Sequence, residues 1–185
     1  MEQHKRTNYT RRLVSLGKAT PIQIKEFKKI SSNSRIMKNI GRGIPWSSEY
    51  VDELVKQTKQ DEANNNPNYF HWLLLAKKEN AKERVVGYVS LRPYKDNDLQ
   101  IRTFVSPSGQ GHGSAGGEIV MYEYYYNLGG DKKIYSVVKA TNVKSVNMRE
   151  KNPNWLLVST SQVHGSLHKE FLYLDGQSDE SSCTS

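Results

Sequence analysis

A run of glycines between an apolar strand and a helical pattern constrains this chain more than any other feature. Residues 99–105, Leu-Gln-Ile-Arg-Thr-Phe-Val, read as a strand. Ser106, Pro107, Ser108, Gly109, Gln110, Gly111, His112 and Gly113 follow, and over residues 114–128 apolar side chains recur at helical spacing. The first turn of a helix leaves backbone N–H groups without partners, and its dipole adds about half a positive charge there. A glycine loop that opens onto such a turn is a cradle for phosphate, a diphosphate included. Small residues are required because any Cβ would hold the phosphates away from the main chain.

Gly111, Gly113 and Gly116 also spell a literal G-x-G-x-x-G, with Asp131 20 residues past Gly111. A dinucleotide-binding turn needs its strand to run straight into the first glycine, and its acid to close the following strand. Here five residues separate Val105 from Gly111, and Asp131 precedes the next strand, expected at 133–140. No Gly-Lys-Ser/Thr string occurs, so a Walker loop is excluded as well.

The pattern that does fit is V-x-P-x-x-(Q/R)-G-x-G-x-(G/A), filled by Val105, Pro107, Gln110, Gly111, Gly113 and Ala115. In this the chain resembles motif A of the GNAT superfamily of N-acetyltransferases. The resemblance implies acetyl-CoA as cosubstrate. Its pyrophosphate would lie on the main-chain N–H groups of Gln110, Gly111, His112, Gly113, Ser114 and Ala115. Its pantetheine arm would pair with the main chain of Phe104 and Val105 like an added strand. The N–H of Val105 would face the developing oxyanion.

A second family pattern, N-N-x-x-A/S-x-x-x-Y, is met in part. Asn142 and Ser145 match and would contact the pantetheine arm. The tyrosine position, read six residues after Asn142, holds Met148, which cannot give a proton to a thiolate. Relatives often place a carboxylate on the loop-bearing strand, and residues 99–105 contain none. Gln100 and Thr103 stand there, with Asp98 just outside, so the catalytic acid and base stay open.

The fold implied is mixed α/β: a mostly antiparallel sheet of six to seven strands with helices on both faces. Its two parallel central strands would splay into a V. The chain's own patterning agrees. Residues 9–16 read as a strand. Thr20, Pro21 and Gln23 then start a helix with a capping box and an apolar stripe of Ile24, Phe27 and Ile30. Ser47 caps a second helix, with Trp46 and Val51 as a hydrophobic staple. Strands follow at 69–76, 84–91 and 99–105, joined by short polar turns as a meander. After the glycine loop, Ile119, Tyr122 and Tyr126 share one helical face. A strand at 134–140 should run parallel to the loop-bearing strand. A helix at 142–152 and strands at 155–159 and 171–174 close a single domain over residues 1–174. The polar residues 175–185 read as a disordered tail.

Net charge is +8 with a pI near 9.4, which suits phosphate-bearing ligands or nucleic acid. The basic residues are scattered, and neither an arginine-rich block nor zinc-finger spacing occurs, so nucleic acid is not the expected partner. No cluster of His, Cys or acids has metal spacing. The longest apolar run, around Trp72 to Ala76, is too short to span a bilayer. The amino terminus has no apolar core, and the one cysteine, Cys183, sits in the polar tail, so the expected compartment is the cytoplasm. His71 is expected in the core and His164 and His168 in solvent. His112 is expected to act through its main chain more than its ring. The expected function is transfer of an acetyl group from acetyl-CoA to a primary amine, by direct attack in a ternary complex. A CoA-binding sensor that has lost catalysis is the alternative raised by Met148 and the missing carboxylate. A basic nucleic-acid-binding module is the alternative raised by the charge.

Overall fold

The computed structural model describes residues 9–65, 69–107, 112–163 and 165–174. The elements in chain order are β1 (Tyr9–Ser15), α1 (Pro21–Ser31), α2 (Ser34–Met37), α3 (Ser48–Ala63), β2 (Phe70–Lys78), β3 (Arg84–Pro93) and β4 (Leu99–Val105). They continue as α4 (His112–Tyr122), β5 (Ile134–Lys139), α5 (Val143–Glu150), β6 (Trp155–Val163) and β7 (Ser166–Tyr173). The strands form one mixed sheet in the order β1-β2-β3-β4-β5-β7-β6. β4 and β5 are parallel, with Leu99, Gln100 and Ile101 beside Ile134, Tyr135 and Ser136. That is the crossover predicted from the helix between them. By internal contacts the chain forms two compact units, one of residues up to 91 with 103–130, the other of 92–102 with 131 onward.

In the first unit, local sequence chemistry starts α1 and α3 as expected. Thr20 Oγ1 accepts from the Gln23 N–H while Gln23 Oε1 accepts from the Thr20 N–H at 2.9 Å, a closed capping box ahead of α1. Ser47 Oγ accepts from the Tyr50 N–H at 3.1 Å and caps α3. Phe27 and Ile30 of α1 and Val51 and Val55 of α3 pack with Leu73, Leu75, Val85, Tyr88 and Phe104 into the main core. Leu74, Ala76 and Val86 point the other way, where Ile119 of α4 covers them. α1 and α3 therefore lie on one face of β2 and α4 on the other. α2 was hidden in a stretch that reads as a helix end. Asn33 breaks the chain by taking the Arg35 and Ile36 N–H groups on its side chain, then starts a new turn.

Of the face expected from Ile119, Tyr122 and Tyr126, only Ile119 packs on the core. Tyr122 and Tyr126 are exposed at 58% and 56% and stack on each other at 5.1 Å, while Val120, Met121 and Tyr124 are buried. Two physical causes act together. The buried stripe runs from His112 through Gly116, where a Cβ would meet Leu74 Cδ2 at 2.7 Å, so no apolar side chain marks its first two turns in sequence. The helix then widens into a π turn over Glu123–Asn127, where the Leu128 N–H reaches the Glu123 carbonyl at 3.0 Å, shifting the register.

In the second unit, α5 packs Val146 onto Val138 of β5 and Phe171 of β7, with Trp155 beside them. β6 and β7 extend beyond the predicted 155–159 and 171–174, paired from Trp155 with Tyr173 to Val163 with Ser166. The residues added to β6, among them Thr160, Ser161 and Gln162, pair through their backbone with side chains exposed, so no apolar alternation announces them. Gly165 turns the hairpin at φ +74. His168 stands half-buried in β7 with Nδ1 2.9 Å from the Ser166 carbonyl oxygen, not in solvent as predicted.

Candidate active site

The expected cofactor residues fall on both units. Gln110 and Gly111 lie outside the described residues, as do His164, Cys183 and the tail 175–185. In the first unit, β3 and β4 approach closely at the end of β4. A Cβ on Gly87 would stand 2.6 Å from the Phe104 carbonyl oxygen and 2.9 Å from Val105 Cγ1. The Ser106 N–H donates to the Val86 carbonyl at 2.8 Å, tying down the first residue beyond the strand. The Phe104 ring is buried among Tyr88 (5.1 Å), Trp46 (5.4 Å) and Phe27 (6.2 Å), which anchors its backbone in register. Trp46 thus serves the core, stacked edge-on against Phe27 and Tyr88.

α4 begins at His112, immediately past the glycine run. Gly113 lies over Val105, with the two γ carbons 3.8 and 3.9 Å from where its Cβ would be. Ser114 and Ala115 complete the first turn, half-buried. The His112 ring is itself well employed. It is buried, its Nδ1 accepts from Arg11 Nε at 2.6 Å, and Tyr9 packs edge-on at 4.8 Å. Burial, together with the charges of Arg11 and Arg84, holds the imidazole below its ordinary value of 6.5.

That shift has a definite sign in stability. Above 6.5 the ring is neutral folded and unfolded, and contributes no pH dependence. As pH falls below 6.5 the unfolded chain takes up a proton that the folded ring resists, so stability is lost. The expected result is a melting temperature that drops as pH goes from 7 toward 5, and a smaller drop in His112→Asn. Parallel curves for the two proteins would show that this ring does not titrate differently in the fold.

In the second unit Asn142 is the cap residue of α5, its carbonyl accepting from the Ser145 N–H at 3.0 Å and its side chain capping nothing. Ser145 and Met148 are half-buried. Counted through Ser145 and the three positions that follow it, the family pattern ends at 149, so Arg149 and not Met148 stands where the tyrosine was sought. Arg149 is the group that sequence reasoning passed over. Its guanidinium is buried, donates from Nε to Ser136 Oγ at 3.1 Å and lies 4.6 Å over the Trp155 ring. Burial lowers it to about 10, so it remains charged at neutral pH. The signal in the sequence was its helical spacing from Asn142 and Ser145.

None of the three base positions offers an uncommitted carboxylate. Gln100 Oε1 accepts twice from Arg92, at 3.0 and 2.6 Å. Asp98 accepts from the Lys133 N–H at 3.1 Å and holds a turn. Thr103 Oγ1 is buried with no hydrogen-bond partner. The buried acid of this unit is Glu170 on β7. Burial pushes its carboxyl up, but hydrogen bonds from Lys95, Ser159 and Tyr94 outweigh that and hold it below the ordinary range. Among the described residues no group of three His, Cys, Asp or Glu could hold a metal. No described helix is long and apolar enough to cross a membrane.

The mixed sheet with one parallel pair, β4 and β5, and α4 between them in sequence is the fold that the resemblance implied. The chain belongs to the GNAT acetyltransferases: the family described as an acetyltransferase (GNAT) domain matches it over residues 16–152. Solved structures with this fold include spermidine N-acetyltransferase from Vibrio cholerae in complex with CoA and spermine. It is 18% identical, with a TM-score of 0.64, over 89% of this chain and 95% of that one. A GNAT-family acetyltransferase from Bacillus anthracis is 15% identical with a TM-score of 0.65, over 90% and 94%. A domain from Methanocaldococcus jannaschii is 17% identical with a TM-score of 0.60, over 88% and 98%. No curated protein matches the chain significantly.

Proposed function

We propose that this protein transfers an acetyl group from acetyl-CoA to a primary amine, by direct attack while both substrates are bound. The observation that carries the reading is that α4 spans His112–Tyr122 with Gly113 in its first turn, where a Cβ would meet only the Val105 γ carbons, at 3.8 and 3.9 Å. Family membership and the CoA held by the Vibrio cholerae structure support it.

On this reading acetyl-CoA, when bound, supplies the acetyl thioester. The N–H groups of Gln110, Gly111, His112, Gly113, Ser114 and Ala115 hold its phosphates. The main chain of Phe104 and Val105, with Asn142 and Ser145, positions the pantetheine arm, and the Val105 N–H faces the oxyanion. No side chain forms a covalent bond to the acetyl group. The amine's proton leaves through water, since neither Gln100, Thr103 nor Asp98 is a free base. The acceptor is a primary amine on a small molecule or a protein. The spermine of the Vibrio cholerae structure places polyamines first in a screen. A single cysteine fits a reducing compartment, the cytoplasm.

Thermal unfolding with CoA, followed by thiol release across a panel of amines, tests this. CoA at about 100 times its dissociation constant stabilises the fold by about 2.7 kcal/mol. Stabilisation without thiol release from any amine would favour the sensor. No stabilisation, with salt-steep binding to DNA or RNA instead, would replace both with the nucleic-acid module.

A further inference from the structure

We propose that Tyr94, Tyr135, Ser159 and Glu170 form a binding site for a primary alkylammonium group, and that Lys95 of the same chain occupies it as a displaceable plug. All five residues belong to the second unit, and none is among those proposed to hold acetyl-CoA.

The site is built on a buried acid. Glu170 is only 7% exposed, in the middle of β7, where it pairs with Val137 of β5 on one side and Ser159 of β6 on the other. A carboxylate kept from water costs stability unless charge and hydrogen bonds answer it. Ser159 Oγ donates to Oε2 at 2.8 Å, and the Tyr94 hydroxyl gives a further hydrogen bond. Both hold the carboxylate in place and leave its charge. Lys95 meets the charge: its Nζ donates to Oε2 at 3.0 Å and lies 2.9 Å from Oε1. Oε1 is buried and nevertheless accepts no hydrogen bond. The ammonium is close to both oxygens and aimed at one, so a buried acceptor stays open to a second N–H.

Two rings complete the site. Tyr94 and Tyr135 lie 5.6 Å apart at a tilt of 47°. The Lys95 ammonium stands 4.8 Å from the Tyr135 ring and 5.6 Å from the Tyr94 ring. Aromatic faces beside a carboxylate suit an alkylammonium, because the faces attract the charge while the oxygens take the N–H groups. Lysine is itself a primary ammonium on an alkyl stem, so Lys95 shows which ligand fits.

The two ends of Lys95 are held very differently. Its backbone is fixed in a tight turn: the Tyr94 N–H donates to the Asp98 carbonyl at 2.8 Å and the Asp98 N–H to the Lys95 carbonyl at 3.0 Å. Asp96 and Asn97 make that turn with positive φ of 55 and 67. Its side chain is 46% exposed, so it can leave for solvent by rotamer changes alone while the turn and the acid stay in place. An arriving ammonium aligned with both oxygens replaces one aligned with a single oxygen, and the charge balance is kept.

The test uses the full chain with butylammonium as probe, n-butanol as its uncharged control and tetramethylammonium as a cation without an N–H. In wild-type protein labelled with carbon-13 lysine, the Lys95 Cε signal, shifted by the two rings, reports whether the plug is in place. Butylammonium is expected to move it to the value of a solvated lysine, n-butanol to leave it, and tetramethylammonium to act only at about tenfold higher concentration or more. Lys95→Ala is expected to lose stability and to regain about 3–6 °C of melting temperature with butylammonium at about ten times its dissociation constant. It should bind the probe about tenfold or more tightly than wild type, since no plug has to leave. Tyr135→Leu added to Lys95→Ala should weaken that binding about tenfold. A small alkyl diamine and a peptide carrying one lysine then distinguish a free amine from a lysine side chain as the better occupant. A Lys95 signal that butylammonium leaves unmoved, or that n-butanol moves as far, overturns the proposal without any variant having to fold. A Lys95→Ala protein that folds and gains nothing from butylammonium overturns it as well. None of these readouts involves acetyl transfer, so they fail or succeed separately from the acetyl-CoA reading.

Discussion

Gly113→Asp is expected to leave the fold standing and to abolish its stabilisation by CoA. A Cβ at this position meets only Val105 γ carbons at 3.8 and 3.9 Å, ordinary contact distances, so the substitution is sterically tolerated. Gly113 does not have a positive φ, and a non-glycine residue adds no backbone strain there. The effect therefore falls on the ligand. A carboxylate enters the first turn of α4, where the proposed phosphates would lie, and opposes them with like charge. The roughly 2.7 kcal/mol of stabilisation from saturating CoA, about 5–10 °C in melting temperature for a chain of this size, should vanish. Unliganded melting should move by far less. A variant that binds CoA like the wild type would show that this loop is not the phosphate site.

Phe27→Ala has the largest expected effect on stability. Phe27 is fully buried and stacks on Tyr88 at 5.2 Å, with Trp46 at 6.1 Å and Phe104 at 6.2 Å. Removing its ring loses the transfer free energy and leaves a cavity walled by three other aromatic groups that cannot all collapse inward. The cost is about 3–5 kcal/mol, or roughly 6–20 °C. Because Phe104 leans on the same ring, the variant should also bind CoA more weakly at temperatures where it is still folded. The exposed Ile22 of the same helix is the control: Ile22→Ala, at 73% exposure, should change stability by less than about 0.5 kcal/mol. A loss below about 1 kcal/mol for Phe27→Ala would mean that the aromatic cluster is not the centre of this core.

Where side chains act on their own neighbours, the chain was readable. The capping box of Thr20 and Gln23, the Ser47 cap and the parallel crossover from β4 to β5 depend on residues close in sequence or on a general rule of chain connection. Where the determinant was an absence, reading failed. Gly116 lies in the buried stripe of α4 with no side chain to mark it, so which tyrosines face solvent was not legible. The polar residues of β6 are strand only because β7 lies beside them.

The candidate site divides the same way. Glycines and a proline at fixed offsets after Val105 are a backbone requirement, and a backbone requirement is written directly in residue identity. By itself, then, the sequence determined the glycine pattern after Val105, the starts of α1 and α3 and the order of the strands. Only the tertiary structure decided that His112 is a buried partner of Arg11, that Gln100 is bound to Arg92, and that Arg149 lies buried on Ser136 and Trp155. The reason is physical: burial and pairing are properties of what surrounds a side chain, and those surroundings come from parts of the chain that no local pattern connects.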